Sequence, residues 1–431
     1  MVTAFQDLLS RSKEIRNFMR RIRYAFFSGI IMFALATLTN AAAAAQDNDY
    51  FMYVGTYTGF KYVHHSRPFG KGEAKSKGIY VSRFHAASGE LAQPELAAEI
   101  INPSFLTISP DHKYLYAISE DPLSLGPPLD HSSYVSAFVI DHSTGKLRFL
   151  NRVPSSGTST CFVSIDKTGK YVMMANFGSG SVSVVRVRDD GSLGELTSFI
   201  QDVGHSVDRG IQMEPHTHSI LVSPDNKYAI VSDLGIDKVL IFNFDDKTGK
   251  LSPPDPHFAT VYPGGGPRHF TFDPAGKFGY QLSEMSGIVD VFAWDPSQGT
   301  LTTVQRAHTT PHDFFGSNHS AEIEIHPNGK YLYESNRRTK SETERAPDSI
   351  GVFAIDSKAG TLTRVQESPT GGVMPRTFKI DPTGEYLLSG NELSNNVVVF
   401  KIDTRSGKLT NTGREIAVDT PVCIQFVPVQ R

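Results

Sequence analysis

The residues of this chain best suited to shared chemistry are histidines, arginines and glutamates placed at recurring intervals. Two histidines stand two residues apart as His216 and His218 in EPHTHS (214–219). Arg268 closes a glycine run in GGGPRH (264–269), and Glu284, His319, Glu322, Arg337, Arg376 and Glu392 follow, with Asp233 between the first two groups. Arginines bind a carboxylate or phosphate bidentately and polarise a carbonyl oxygen as it gains charge. A glutamate can serve as base toward water or a C–H proton, and a histidine can move a proton to or from a departing alkoxide. Together these groups suit the opening or closing of an ester ring in an anionic substrate. No G-x-S-x-G elbow occurs, which argues against an acyl-enzyme route. His216, His218 and His319 could instead hold zinc or copper. Arg268 beside them would repel a cation, so neither metal nor other cofactor is expected.

The elements that position these residues are repeats. A turn of Asp-x-x-x-Gly type followed by Leu recurs seven times, with His85 in place of Asp in the first copy, as in DHSTGKL (141–147), DDGSLGEL (189–196), DDKTGKL (245–251) and DTRSGKL (403–409). A second turn lies between these, as in SPDNKYAIV (223–231), DPAGKFGYQ (273–281) and HPNGKYLYE (326–334). Each precedes an aromatic and an apolar run, the signature of a hairpin between two strands. Every unit of about 50 residues therefore holds three or four short strands, which is the content of a propeller blade. The expected fold is all-β, a seven-bladed β-propeller over residues 46–431. Its last blade joins the C-terminal TPVCIQFVP (420–428) to the strands FMYVGTY (51–57) and GIYVSRF (78–84) near the N-terminus, leaving no free edge.

The repeat also lets blades be compared position by position. The charged residue of the second turn (Lys113, Lys170, Lys227, Lys277, Lys330, Glu385) serves as reference. Nine positions before it stand Ser104, Cys161, His218, Arg268, Ala321 and Arg376, and eleven before it Asn102, Ser159, His216, Gly266, His319 and Met374. Seven positions after it stand Glu120, Phe177, Leu234, Glu284, Arg337 and Glu392, each preceded by a polar residue such as Asp233. The first two columns differ by two and so are expected to point the same way in a strand. In a hairpin the start of one strand lies beside the end of the next, so all these columns rise to one end of the central channel.

Composition places limits on the partners. Formal net charge is −3, so no basic surface announces nucleic acid. Residues 1–45 hold Arg16, Arg20, Arg21 and Arg23, then the apolar run Phe26–Leu38 and the string Ala41–Ala45, the pattern of a signal peptide. Export to the periplasm or beyond is expected, with no stable membrane association after cleavage. Cys161 and Cys423 are the two cysteines and read as small buried hydrophobes rather than a disulfide framework. The pair His64-His65 lies in an insertion with no strand pattern.

Four linked motifs carry a family resemblance. PHTHSILVSPDNKYAIVSDLG (215–235), GGGPRHFTFDPAGKFGYQLSE (264–284), HSAEIEIHPNGKYLYESNR (319–337) and MPRTFKIDPTGEYLLSGNE (374–392) resemble the lactonase family of seven-bladed propellers. That family includes the propeller type of 6-phosphogluconolactonase and the fungal carboxy-muconate lactonizing enzyme. The resemblance implies a metal-free catalytic group of one His, two Arg and one Glu. By motif these are His216 or His218, Arg268, Arg337 and Glu284. Family members usually read Asn-Glu-Leu around the Glu, whereas this chain reads Ser283-Glu284-Met285, a difference that bears on substrate positioning. His319, Glu322, Arg376, Glu392 and Asp233 are expected to contact substrate.

The leading expectation is hydrolysis of an anionic sugar-acid lactone. A cycloisomerase working on a muconate-type lactone and a non-catalytic propeller that binds a sugar acid are the alternatives. Because 6-phosphogluconolactone is a cytoplasmic intermediate, an exported member is expected to act on another sugar or aldonic lactone.

Overall fold

The computed structural model describes residues 49–60, 73–120, 133–253, 258–311, 314–339, 344 and 346–430. The expected signal peptide and the His64-His65 insertion lie outside these residues. Seven antiparallel sheets of four or five strands make the blades, and the two-stranded ribbon of Gly59–Phe60 and Glu73–Ala74 stands apart from them. The inner strands of blades 1 to 6 are Leu106–Ile108, Thr160–Ile165, Thr217–Val222, Pro267–Phe272, Ser317–Ile325 and Pro375–Ile380. Blade 7 is inner strand Pro421–Pro428 paired with Asp49–Thr56, which pairs in turn with Gly78–His85. Both ends of the propeller thus meet in one blade, as the sequence predicts.

Turn chemistry sets the blade geometry. In the first hairpin of blades 2, 4 and 6, Asp166, Asp273 and Asp381 each accept two backbone N–H groups across the turn, from Lys170 and Tyr171, Lys277 and Phe278, and Glu385 and Tyr386. The Asp-x-x-x-Gly turn needs a residue at positive φ, and Gly145, Gly249, Gly299, Gly360 and Gly407 supply it. Blade 2 departs from this pattern. There Gly191, with φ of 82°, closes the turn, while Gly194 already lies in the strand Leu193–Gln201.

These turns also fix one blade to the next. Tyr53, Tyr116, Tyr280 and Tyr333, all in second strands, donate their hydroxyls to the carbonyls of Gly145, Gly191, Gly360 and Gly407 in the following blade, at 2.7–3.0 Å. A buried phenol that finds a carbonyl avoids the cost of an unpaired hydroxyl and orients the blade at once. The cores lie between blades, as where Met173 and Val184 of blade 2 pack with Ile220, Val231 and Phe242 of blade 3.

One irregularity matters most for function. Strand pairing slips between Thr160 and Phe162, Thr217 and Ser219, Pro267 and His269, Ser320 and Ile323, and Pro375 and Thr377. The skipped positions include Cys161, His218, Arg268 and Arg376. Just upstream, Asn102, Ser159, Gly266, Met374 and Thr420 have φ of 43–66°. A bulge of this kind breaks the two-residue alternation and re-aims a side chain. The positions nine and eleven before the reference therefore do not share a direction, contrary to expectation.

Candidate active site

Backbone hydrogen bonds bring the functional columns together. Glu120, Phe177, Leu234, Glu284 and Glu392 each donate their N–H to the carbonyl of Asn102, Ser159, His216, Gly266 and Met374 in turn, at 2.7–3.1 Å. In blade 5 the ladder runs further, so that His319 pairs directly with Arg337. Tyr57 donates its N–H to Thr420 at 3.3 Å, which makes it the blade 7 member of the same column.

Glu284 is the centre. Its Oε2 lies 3.0 Å from Arg268 Nε and its Oε1 lies 3.0 Å from Arg337 Nη2. His218 Nε2 stands 3.9 Å from Oε2 and His319 Nδ1 stands 3.5 Å from Oε1. Glu284, Arg268 and Arg337 are each 2% exposed or less. Charges this deeply buried are tolerated because they pair and are hydrogen-bonded further. Arg268 also donates through Nη1 to the carbonyl of Ala321, and Arg337 donates to the carbonyls of His319 and Ser320. Burial and the neighbouring Arg376 push Arg268 down to about 10, so it remains charged at neutral pH.

The two PHTH histidines have separate environments. His216 is half-buried, stacks on Phe177 with ring centroids 4.6 Å apart, and donates through Nδ1 to the Phe177 carbonyl at 2.8 Å. That bond leaves Nε2 as its open nitrogen. His218 is buried beneath it, and burial together with Arg268 and His269 holds its pKa far below the usual value, so the ring is neutral. Among the described residues no group of three or more His, Cys, Asp or Glu side chains is placed to hold a metal ion.

Arg376 anchors a second polar group. Its guanidinium lies over the Tyr57 ring at 5.5 Å, and the Tyr57 hydroxyl donates to Glu120 Oε2 at 3.0 Å. Burial opposes the Arg376 charge, but Tyr57, Glu120, Glu392 and Glu284 more than offset it and hold its pKa above the ordinary value. Glu392 acts electrostatically on Arg337 as well, so it belongs to this end of the channel.

Two expected contact residues lie elsewhere. Asp233 turns away from the channel, where its Oδ1 accepts the N–H of His216 at 2.8 Å and of Gly235 at 2.9 Å. These bonds hold the histidine segment in place. Glu322 sits behind the site, where its Oε1 meets His269 Nδ1 at 2.8 Å. Burial, opposed by Arg268, raises Glu322 to about 7. His269 packs edge-on to Phe105, Phe162 and His218, with ring centroids 5.2–5.7 Å apart. On the other side lies a cavity of about 350 Å³ lined partly by Glu322, Glu324, Lys379 and Cys423. These rings thus form a floor between the Glu284 pocket and the lower channel. Both cysteines are free and buried.

The match to a family model settles the wider relationship: residues 51–426 fit that of the lactonase, 7-bladed beta-propeller. The chain belongs to this family. Among its relatives, the 6-phosphogluconolactonase of Bacillus subtilis is 32% identical over 88% of this chain and 98% of its own length. The 6-phosphogluconolactonase of Formosa agariphila is 35% identical over 81% of this chain and 95% of its own. The solved structure of the periplasmic gluconolactonase of Pseudomonas aeruginosa superposes with a TM-score of 0.78 at 30% identity, covering 89% of this chain and all of that one. Membership rests on the whole propeller, and it accords with a fold and a set of motifs already legible in the repeats.

Proposed function

We propose that this lactonase-family protein hydrolyses the ring ester of a sugar-acid lactone. The observation that carries this reading is one carboxylate, Glu284, gripped by two arginines and flanked by two histidines where the blades converge. The activities named for the relatives described above support it. Glu284 takes a proton from water as the water oxygen bonds to the lactone carbonyl carbon. Arg268 Nη2 and Arg337 Nη1, the nitrogens not given to Glu284 or to a backbone carbonyl, stabilise the charge that develops on the carbonyl oxygen. As the ring C–O bond breaks, the proton held by Glu284 returns to the departing oxygen, with His218 close enough to guide it. Water is consumed and an open-chain hydroxy acid is formed.

The charge count bears on the substrate. Arg268, Arg337 and Arg376 are matched by Glu284, Glu392 and Glu120, so among the described residues the site holds no surplus positive charge for a phosphate. An uncharged aldonolactone is the substrate that suits such a site, in place of the anionic one expected from residue types alone. Export fits the same reading. The basic and apolar pattern of residues 1–45 supports a periplasmic location, as does the likeness to a periplasmic gluconolactonase. Among the described residues no helix is long and apolar enough to cross a membrane.

The test is acid release in a pH-stat by protein lacking residues 1–45, with EDTA present, on gluconolactone, galactonolactone and 6-phosphogluconolactone. Release above the spontaneous rate that disappears in Glu284→Gln supports the reading. No acceleration on any lactone overturns it.

A further inference from the structure

The sequence leaves open which PHTH histidine serves the reaction, and hydrogen-bond partners distinguish the two. His218 Nε2 faces the Glu284 carboxylate, 3.9 Å from Oε2. A nitrogen lone pair turned toward a carboxylate is repelled, whereas an N–H there is attracted. Because the ring is neutral, a proton on Nε2 leaves Nδ1 with a lone pair. That lone pair is buried and needs a donor, since an unpaired buried acceptor carries a desolvation cost.

Among the described residues, the group in reach of Nδ1 is the Cys161 thiol, with Sγ 3.7 Å away. Its other neighbours, the carbonyls of His218 and Thr217 at 3.5 and 3.8 Å, can only accept. The thiol is therefore the group here that can supply a proton to Nδ1, with the two carbonyls as competing acceptors. Burial pushes the Cys161 pKa up, with Glu120 and Glu284 adding to the rise, so the sulfur keeps its hydrogen across the neutral range. Cys161 sits on the same kind of bulge that re-aims His218 one blade on and Arg268 two blades on.

We propose that Cys161 is a positioning residue: its thiol donates to His218 Nδ1 and locks the imidazole in the tautomer that presents Nε2–H to Glu284 and the reacting oxygens. His216 is held in the opposite tautomer by the Phe177 carbonyl, with Nδ1–H donating and Nε2 open. Two histidines two residues apart thus offer one donor and one acceptor. This proposal deepens the hydrolytic reading and rests on it for its kinetic arm.

The tautomer is read directly by nitrogen NMR of protein labelled at histidine nitrogen, a measurement that needs no turnover. The expected result is a His218 with Nδ1 unprotonated and Nε2 protonated, and a His216 with the reverse. Cys161→Ala should shift the His218 pattern toward a mixture and lower kcat about tenfold with little change in KM. Cys161→Ser, which restores a hydroxyl donor, should recover most of both. Cys423→Ala serves as control, because it removes an equally buried thiol from the lower channel and should change neither. A wild-type His218 protonated on Nδ1 overturns the proposal. So does a Cys161→Ala protein whose histidine signals match wild type. If no lactone is hydrolysed but the tautomers are as stated, the hydrolytic reading fails and the assignment of Cys161 stands.

Discussion

Arg268 Nε and Glu284 Oε2 meet at 3.0 Å, and the backbone that brings them together is a single hairpin in which Gly266 accepts the Glu284 N–H. Gly266 has φ of 66°, and a Cβ there would press on the Met285 sulfur at 2.8 Å. The bulge that follows throws Arg268 across to the end of the neighbouring strand. Carboxylate and guanidinium are therefore placed by one local device.

Glu284→Gln is expected to lower kcat by about 10²–10⁴-fold, the range for removing a general base. Tm should fall as well, because the neutral amide leaves the buried Arg268 and Arg337 guanidiniums without the carboxylate they share. Arg268→Lys should also cost activity, since one ammonium cannot serve Glu284 and the Ala321 carbonyl in a fixed fork. Initial rates and thermal melts on the two variants check this. A fully active Glu284→Gln enzyme would remove Glu284 from the mechanism.

Substrate charge gives a second expectation. With three guanidiniums set against three carboxylates, kcat/KM should be higher for gluconolactone than for 6-phosphogluconolactone, and the rate on gluconolactone should vary little with salt. A marked preference for the phosphorylated lactone, weakening as salt rises, would point to basic residues outside the described set.

Much of this site was legible in sequence because propeller repeats turn spacing into geometry. His218, Arg268, Glu284, Arg337 and Arg376 could be aligned by counting from the hairpin turn, and the structure joins them. Tyr57 was missed because blade 7 is split between the two ends of the chain, so no hairpin turn exists to count from. His269 was not singled out, and Glu322 was expected in the pocket, for another reason. A bulge removes the alternation on which inward and outward are assigned, and nothing in residue type announces it. Asp233 sits in the correct column, but its partners are backbone N–H groups, which sequence does not display.

Asp233 supplies a pH test. Asp202 and Asp233 hydrogen-bond each other in the interior, and burial, reinforced by the charge of Asp233, raises Asp202 to about 9. Burial raises Asp233 as well, while Lys238 and His216 favour the charged forms. The pair holds one proton that the unfolded chain would release in the ordinary carboxyl range near pH 4. The folded state binds more protons across that window, so its stability falls as pH rises, most completely above about 9. Repulsion between two carboxylates would then loosen the bond from Asp233 to His216. A reversible alkaline loss of activity is expected near pH 9 and should be absent in Asp202→Asn. An unchanged alkaline limb in that variant would assign the loss to another group.

Glu334 extends the same physics to the frame of blade 5. Its side chain is fully buried, with Oε1 accepting from Asn336 Nδ2 at 2.9 Å while Oε2 finds no donor among the described residues. Burial pushes it up to about 8, against the pull of Arg364 and Asn336. The folded protein therefore keeps a proton here at neutral pH that the unfolded chain lacks, and stability should decline between about pH 4 and 8. Glu334→Gln retains the shape and removes the titration. It should match wild type near pH 5 and exceed it at pH 9, by roughly 1–3 kcal/mol if an unpaired buried group is relieved. The carboxyl also packs on Gly351, where a Cβ would meet Oε1 at 2.0 Å. Gly351→Ala should accordingly destabilise at every pH, because it displaces the side chain whatever its charge. Thermal melts across pH separate the two effects: a pH-dependent gain for the first variant and a pH-independent loss for the second. Equal losses of Tm between pH 5 and 9 in wild type and Glu334→Gln would mean that Glu334 is already ionised in the folded state.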